Sequence, residues 1–328
     1  MSICLCGASA ETILDAIALK RMEQLGRAGS ESFRACTAYK REVDAALSVL
    51  PELRSPVHLL VPDQRRRISD SGRCSHVWSG VIADGSLIRV APSIFTASPE
   101  FNLLLEMRDR SLIDRVLAIM GFCGIFAIDE SSEDGFVKRP QLTTVERLRS
   151  FAEGLGGGFG SHLLLEAAGF ALERARSPLE ARFALVLTMP WEMGGFAFPR
   201  PELNSRVDVG EKGSVLVGRS SLECDMVWHE RRIVLEVNGR LRHEGRFGDD
   251  LTKASALEMN GYSVRFVTSQ QFRSPHQMLV LGSWLMERLG IEAMLPNMAL
   301  LEKLLAELSA FEYSRISLPA PHNGSLFT

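Results

Sequence analysis

Apolar and polar positions alternate along this chain with two different periods. Residues 8–25 carry Ile13, Ala16, Ile17 and Met22 at helical spacing, and residues 33–50 read as mixed or helical. Pro51 to Pro56 is punctuation, and short extended runs follow at 57–61, 75–78 and 87–90. These elements predict a small α+β module over residues 1–97. Ser98-Pro99-Glu100 then combines a capping side chain, a proline suited to the first helical position and an acid at the positive end of the helix dipole. One apolar stripe continues from it through Leu103, Leu104, Met107, Leu112, Ile113, Val116 and Leu117. The apolar run at 116–128 reads as a buried helix end leading into a buried strand.

Thr143-x-x-Glu146 has capping-box spacing and predicts a helix that ends near Gly154. Glycines crowd residues 154–160, but no strand precedes them and no Lys-Ser/Thr follows, so they read as a flexible connection and not a phosphate loop. Residues 98–172 are thus expected to form a helical connecting region. Ser177-Pro178-Leu179-Glu180 opens a helix over 179–187, and a Gly/Pro-rich loop covers 189–201. Strands are expected at 206–209, 223–228 and 232–237. A charged loop at 239–248, a helix at 250–260, a strand at 262–268 and a helix at 275–289 follow. The order α-β-β-β-α-β-α predicts a mixed sheet flanked by helices over 173–290. An amphipathic helix at 295–311 and a tail from 314 complete residues 291–328.

The pair of strands around 229–232 carries the most informative chemistry. If Cys224-Asp225-Met226-Val227-Trp228 and Ile233-Val234-Leu235-Glu236-Val237 form a hairpin centred between Glu230 and Arg231, Asp225 lies opposite Glu236. Opposed residues of antiparallel strands share a face with Cβ atoms about 5 Å apart. Two like charges at that distance repel, and a divalent cation between them would use both as hard oxygen ligands. Asn238 faces the same side, as do Val227 and Val234, so the acids end an otherwise apolar surface. On spacing alone a second reading stands beside this one: a strand end whose acids pair with arginines such as Arg240 or Arg242. Glu180 likewise fits the third helical position of a capping box, and His243 fits a surface loop.

Composition narrows the classes. The 328 residues are 46% hydrophobic and 23% charged, which excludes a disordered or collagen-like chain. A net charge of -3 excludes a wholly basic coat for nucleic acid but leaves room for a local basic groove. The six cysteines, at 4, 6, 36, 74, 123 and 224, form no C-x-x-C pair. They read as reduced thiols of a cytosolic protein, with no zinc knuckle expected. The first residues lack a basic region and are interrupted by Glu11 and Asp15, and no apolar run reaches the roughly 20 residues of a membrane helix. The expectation is a soluble, cytoplasmic protein with no membrane partner. Nucleophile-elbow, Walker and dinucleotide motifs are absent from the sequence.

Residues 177–268 resemble the very-short-patch-repair-like branch of the PD-(D/E)XK nuclease superfamily. S-P-L-E at Ser177 to Glu180, C-D-M-V-W at Cys224 to Trp228, V-L-E-V-N-G-R-L-R-H at Val234 to His243, and D-L-T-K-A-S-A-L-E-M-N-G-Y-S-V at Asp250 to Val264 carry the resemblance. Asp250, Lys253, Leu257 and Gly261 match the family's helix pattern of an acid, a basic residue, Leu and Gly. Upstream, C-G-A-S-A at Cys6 to Ala10, S-P-E at Ser98 to Glu100 and G-G-F-A-F-P-R-P-E-L-N at Gly194 to Asn204 resemble proteins in which an abortive-infection type IV antitoxin-like (AbiEi-like) region precedes a nuclease-like domain.

The resemblance implies an α/β (α+β) fold with a C-terminal restriction-endonuclease-like mixed sheet, and hydrolysis of DNA phosphodiester bonds. Asp225, Glu236 and the Val237 carbonyl would bind Mg²⁺ or Mn²⁺. Glu180 would hold a metal-bound water or second ion, and His243 would protonate or orient the leaving oxygen. Arg240, Arg242, Arg246 and Lys253 would contact nucleic acid, with Asp250 in support. Asn238 stands at the third catalytic position, where the family usually has Lys or an acid, and Lys253 stands where Arg is common. Asn neither accepts a proton as a base nor carries positive charge, so Lys253, Arg240 or His243 must supply that role. The alternative is a catalytically impaired DNA-binding regulator, an antitoxin of a toxin–antitoxin or phage-defence system with a cognate toxin as partner. Arg65-Arg66-Arg67 would then contact phosphate, unless it is a solvated turn. Oligomeric state stays open.

Overall fold

The computed structural model describes residues 1–18, 25–80, 82–238, 247–292 and 294–313. The chain is a mixed α/β (α+β) fold with sheets flanked by helices, as the element order predicts. It divides into two compact units, residues 1–169 with 313–328, and residues 170–312.

The first unit begins with β1 (Ile3–Leu5), α1 (Gly7–Ala18), β2 (Arg27–Ala28), α2 (Ser30–Arg34) and α3 (Lys40–Val49). Strands β3 (Val57–Val61), β4 (Arg73–Val77), β5 (Leu87–Ala91) and β6 (Ile94–Ala97) follow. They form one sheet of order β2-β5-β6-β1-β3-β4, in which β1 runs parallel to β6 and β3 parallel to β4. Ile3, Leu5, Leu59, Val61 and Val77 from the strands pack on Ile13 of α1 and Val43 and Ala46 of α3. The sequence pattern did not single out β1 or β6, each only a few residues long and buried along its length. Buried strands lose the polar–apolar alternation by which strands are recognised.

Helices α4 (Pro99–Glu106) and α5 (Leu112–Phe122) follow, then the hairpin β7 (Phe126–Ile128) and β8 (Phe136–Lys138), α6 (Val145–Gly154) and α7 (Ser161–Phe170). The continuous stripe expected from Ser98 is thus two helices. Ser98 caps the first by accepting from the Phe101 N–H at 3.3 Å, and Ser111 caps the second by accepting from the Asp114 N–H at 3.1 Å. A fresh cap at Ser111 stops α4 from running on. Helix α6 is capped by Thr144, which accepts from the Arg147 N–H, and not by Thr143. The Thr143 hydroxyl donates instead to the buried Glu100 carboxylate at 2.6 Å. Of residues 98–172, read from sequence as a connecting region, 98–169 group with the N-terminal sheet.

The second unit holds α8 (Pro178–Thr188), β9 (Glu202–Asp208), α9 (Gly210–Val217), β10 (Ser221–Trp228), β11 (Ile233–Asn238) and α10 (Phe247–Met259). β12 (Ser263–Thr268), α11 (Ser269–Phe272), α12 (Pro275–Leu289) and α13 (Met298–Ala310) complete it. The sheet order is β12-β11-β10-β9, antiparallel except for the parallel β11–β12 pair, which α10 connects. α10 lays Ala256 and Leu257 on Val207, Leu222, Cys224, Val227 and Val234 of the sheet. Phe183 of α8 meets Phe272 edge-on, and Phe196 lies against α12 at Gly282. Helix α9 escaped the sequence reading because Gly210 and Gly213 mark it as loop. Gly213 is there because a Cβ would stand 2.9 Å from the Ala256 carbonyl oxygen of α10. No helix among the described residues is long and apolar enough to cross a membrane.

Candidate acidic site on the C-terminal sheet

The β10–β11 hairpin turns through residues 229–232, with Arg232 in the left-handed region at φ +50°. Its register pairs Met226 with Leu235, Val227 with Val234 and Trp228 with Ile233. Asp225 and Glu236 continue the same offset, but the backbone pairing of β10 with β11 ends at Met226–Leu235. At that level the Asp225 side chain enters the ladder, and its Oδ2 accepts from the Val237 N–H at 2.7 Å. On the other side, the β9–β10 register sets Asn204 beside Asp225, and Asn204 takes φ +48° in mid-strand. Asn is among the few residues that tolerate this conformation.

Glu236 is 6% exposed. Its Oε2 accepts from Lys253 Nζ at 2.7 Å, and Lys253 Nζ also donates to the Glu223 carbonyl at 2.8 Å. Lys253 lies on α10, so the crossover helix delivers the cation to the strand acid. Glu236 Oε1 is buried with no hydrogen-bond partner among the described residues. Burial, then the nearby Asp225 charge, pushes the Glu236 carboxyl up to about 7. Burial draws Lys253 down, but Glu236 and its neighbours outweigh this and leave the ammonium above its usual value. Near neutrality Lys253 is therefore charged while Glu236 is only about half ionised, and the full Lys⁺–Glu⁻ pair forms above that pH. The Cys224 thiol lies against Glu236 and is raised above its ordinary range, first by burial and then by that carboxylate.

Glu180 enters from the first turn of α8. Ser177 caps the helix, accepting from the Glu180 N–H at 3.2 Å, and its hydroxyl donates to Glu180 Oε1 at 3.0 Å. Glu180 Oε2 accepts from the Arg176 N–H at 2.8 Å and from Asn204 Nδ2 at 2.6 Å. Ser177 thus caps the helix, but Glu180 accepts from the Arg176 N–H and not from the Ser177 N–H that a capping box would use, and these bonds hold the carboxylate beside Asp225. Burial, then the Asp225 charge, raises Glu180 to about 7. Arg176 is tied to the Glu223 carboxylate, and that bond raises the guanidinium further.

The structure thus gathers Glu180, Asp225, Glu236, Lys253 and the Val237 backbone at one end of the sheet. Asn238 ends β11, half-buried and in register with Thr268. Asp250 lies half-buried one helical turn before Lys253. Arg240, Arg242, His243 and Arg246 lie outside the described residues. Sequence reasoning missed Arg176, Asn204 and Glu223. Glu223 has a local signal, two positions before Asp225 on the same strand. Arg176 and Asn204 have none, because β9 and the entry to α8 meet only in the folded sheet.

Four carboxylates (Glu180, Glu223, Asp225 and Glu236) surround two cations, Arg176 and Lys253. Glu236 Oε1, Asn204 Oδ1 and Arg176 Nε are all buried without hydrogen-bond partners among the described residues. A divalent cation between Asp225 and Glu236 would find hard oxygen donors there, the orphaned Glu236 Oε1 among them. Compared with known proteins, the chain matches no family model, no curated protein and no solved structure.

Proposed function

We propose that the protein is a metal-dependent endonuclease that hydrolyses DNA phosphodiester bonds at the Asp225–Glu236 pair. The observation that carries this reading is the unpartnered Glu236 Oε1, buried across the hairpin from Asp225 and within one side chain of Lys253. Asp225 and Glu236 would hold Mg²⁺ or Mn²⁺, which polarises a phosphate oxygen and acidifies an attacking water. Lys253 holds Glu236 in place and carries the positive charge that Asn238 lacks, facing charge that builds on the phosphate. Ser177, Asn204 and the Arg176 N–H fix Glu180, whose raised pKa suits proton transfer near neutrality. His243, Arg240, Arg242 and Arg246 serve the leaving oxygen and the DNA backbone in this reading, in the cytoplasm.

The test is plasmid cleavage by purified protein with Mg²⁺, Mn²⁺ or EDTA. Metal-dependent cutting that disappears in Asp225→Ala supports the enzyme. Absence of cutting with every metal, with DNA binding retained, overturns it in favour of the regulator or antitoxin reading. The observation favouring that second reading is Asn238 at the end of β11, together with a Glu180 carboxylate already occupied by three donors.

A further inference from the structure

In the N-terminal sheet the parallel register of β3 and β4 places His58 beside Cys74 and Leu60 beside His76. Cys74 and His76 are two apart on β4, so all three polar side chains rise from one face. β4 is the edge of the six-stranded sheet. His58 and Cys74 are half-buried, and His76 is 1% exposed. The imidazoles stack at 5.4 Å between centroids with 10° between planes. His58 Nδ1 lies 3.2 Å from His76 Nε2, and Cys74 Sγ lies 3.6 Å from the same nitrogen. One lone pair on His76 Nε2 thus faces two groups, and the three donor atoms all lie within 4.8 Å of one another.

We propose that His58, Cys74 and His76 form a zinc site, with Zn²⁺ held by two imidazole nitrogens and one thiolate at the sheet edge. Zn–N bonds of about 2.0–2.1 Å and Zn–S bonds of about 2.3 Å at tetrahedral angles give N···N edges of about 3.4 Å and N···S edges of about 3.6 Å. The observed 3.2 Å and 3.6 Å separations match those edges. Sulfur with imidazole suits borderline-soft Zn²⁺ and not Mg²⁺ or Ca²⁺, so this site is chemically distinct from the oxygen donors of the C-terminal sheet.

The environment keeps the imidazoles neutral but, on balance, favours the thiol form of Cys74. Burial, then the neighbouring His58, then Arg67, pushes His76 down to about 3, so it stays neutral and able to coordinate. Burial also lowers His58. Burial raises the Cys74 thiol, while Arg67 and a hydrogen bond from Ser69 favour its thiolate. On binding, the Cys74 S–H breaks and its proton leaves to solvent as the Zn–S bond forms. His58 coordinates through Nδ1 and carries its hydrogen on Nε2. A solvent molecule completes the fourth position. The cysteine spacing gave no hint of this site, because its ligands alternate along one strand and cross to the next.

The full-length chain, stripped with chelator and dialysed against Zn²⁺, should retain one zinc per chain. Loaded with Co²⁺, it should show a thiolate-to-cobalt charge-transfer band. That band should vanish in Cys74→Ser and persist in Cys224→Ser and Asp225→Ala. His76→Gln should weaken Zn²⁺ binding by at least about 100-fold, beyond what loss of an outer-shell partner costs. The proposal fails if no zinc is retained or if the wild-type cobalt spectrum lacks the band. It also fails if the band survives Cys74→Ser or disappears with Cys224→Ser. The wild-type spectrum decides on its own, so a variant that misfolds does not shelter the idea.

Discussion

Lys253 Nζ stands 2.7 Å from Glu236 Oε2, joining the crossover helix to the strand it spans. Both groups are largely buried, with side chains 20% and 8% exposed. Removing one partner of such a pair leaves an uncompensated charge, which costs about 3–5 kcal/mol, whereas replacing both by apolar groups of similar size is often neutral. Lys253→Met should therefore lower stability by about 3 kcal/mol at pH 8 and by less at pH 6, where Glu236 takes up a proton. Lys253→Arg should restore most of the loss, and Lys253→Met with Glu236→Leu should unfold near wild type. Urea denaturation at both pH values reads this; a single variant as stable as wild type at pH 8 contradicts a charged pair. If the site cuts DNA, Lys253→Met should also slow cleavage by about 100-fold or more.

The acids give the protein an unusual pH response. Glu236 is raised from 4.5 to about 7. The native state thus holds this proton more tightly than the unfolded chain, so stability is greatest below pH 4.5 and falls as pH rises toward 7. For one carboxyl this amounts to about 3 kcal/mol. Glu180 acts in the same direction and shares the Asp225 repulsion, so the two effects do not add in full. His76, held near 3, works the opposite way, losing stability as pH falls below 6.5. The informative quantity is the melting temperature of wild type minus that of Glu236→Gln, in EDTA. It should decline from pH 4.5 to 7 and level off above, and Mg²⁺ should flatten it. A difference constant across that window would remove the raised carboxyl.

Ser177 both caps α8 and hydrogen-bonds the Glu180 carboxylate. Ser177→Ala should cost about 1 kcal/mol, the usual worth of an N-cap, while Ser177→Thr should keep most of it. Chemical denaturation of the three proteins measures this; equal midpoints would mean the cap contributes nothing here.

Gly282 has a packing reason, not a conformational one. A Cβ at this position of α12 would sit 2.1 Å from the Phe196 ring. Gly282→Ala should destabilise despite alanine's better helix propensity, and Gly282→Val more strongly, by about 1–3 kcal/mol. A stabilised alanine variant would show that the ring moves aside freely.

How much of this was legible in the sequence depended on distance along the chain. The β10–β11 register was readable because one short turn fixes it and register follows from counting, whereas the bond from the Val237 N–H to the Asp225 side chain just beyond it was not. Helices opened by Ser-Pro at Ser98 and Ser177 were readable because their caps are local. Ser111 hid the break between α4 and α5, since the apolar stripe runs across it unchanged. α9 was illegible because its glycines answer to α10, which lies far along the chain. Arg176 and Asn204 converge on Glu180 only through tertiary packing, and His58 meets Cys74 and His76 only through a parallel pairing.

The parallel pairing of β11 with β12 has a consequence for when the acidic site is complete. A hairpin closes locally, so Asp225 and Glu236 meet as soon as β10 and β11 pair. Lys253 arrives only when the intervening helix folds back and the next strand docks, a slower, non-local event. During synthesis, a chain halted between those two moments presents two acids repelling each other without their ammonium counterpart. If the site cuts DNA, that cutting is expected of the finished polypeptide and not of the nascent one.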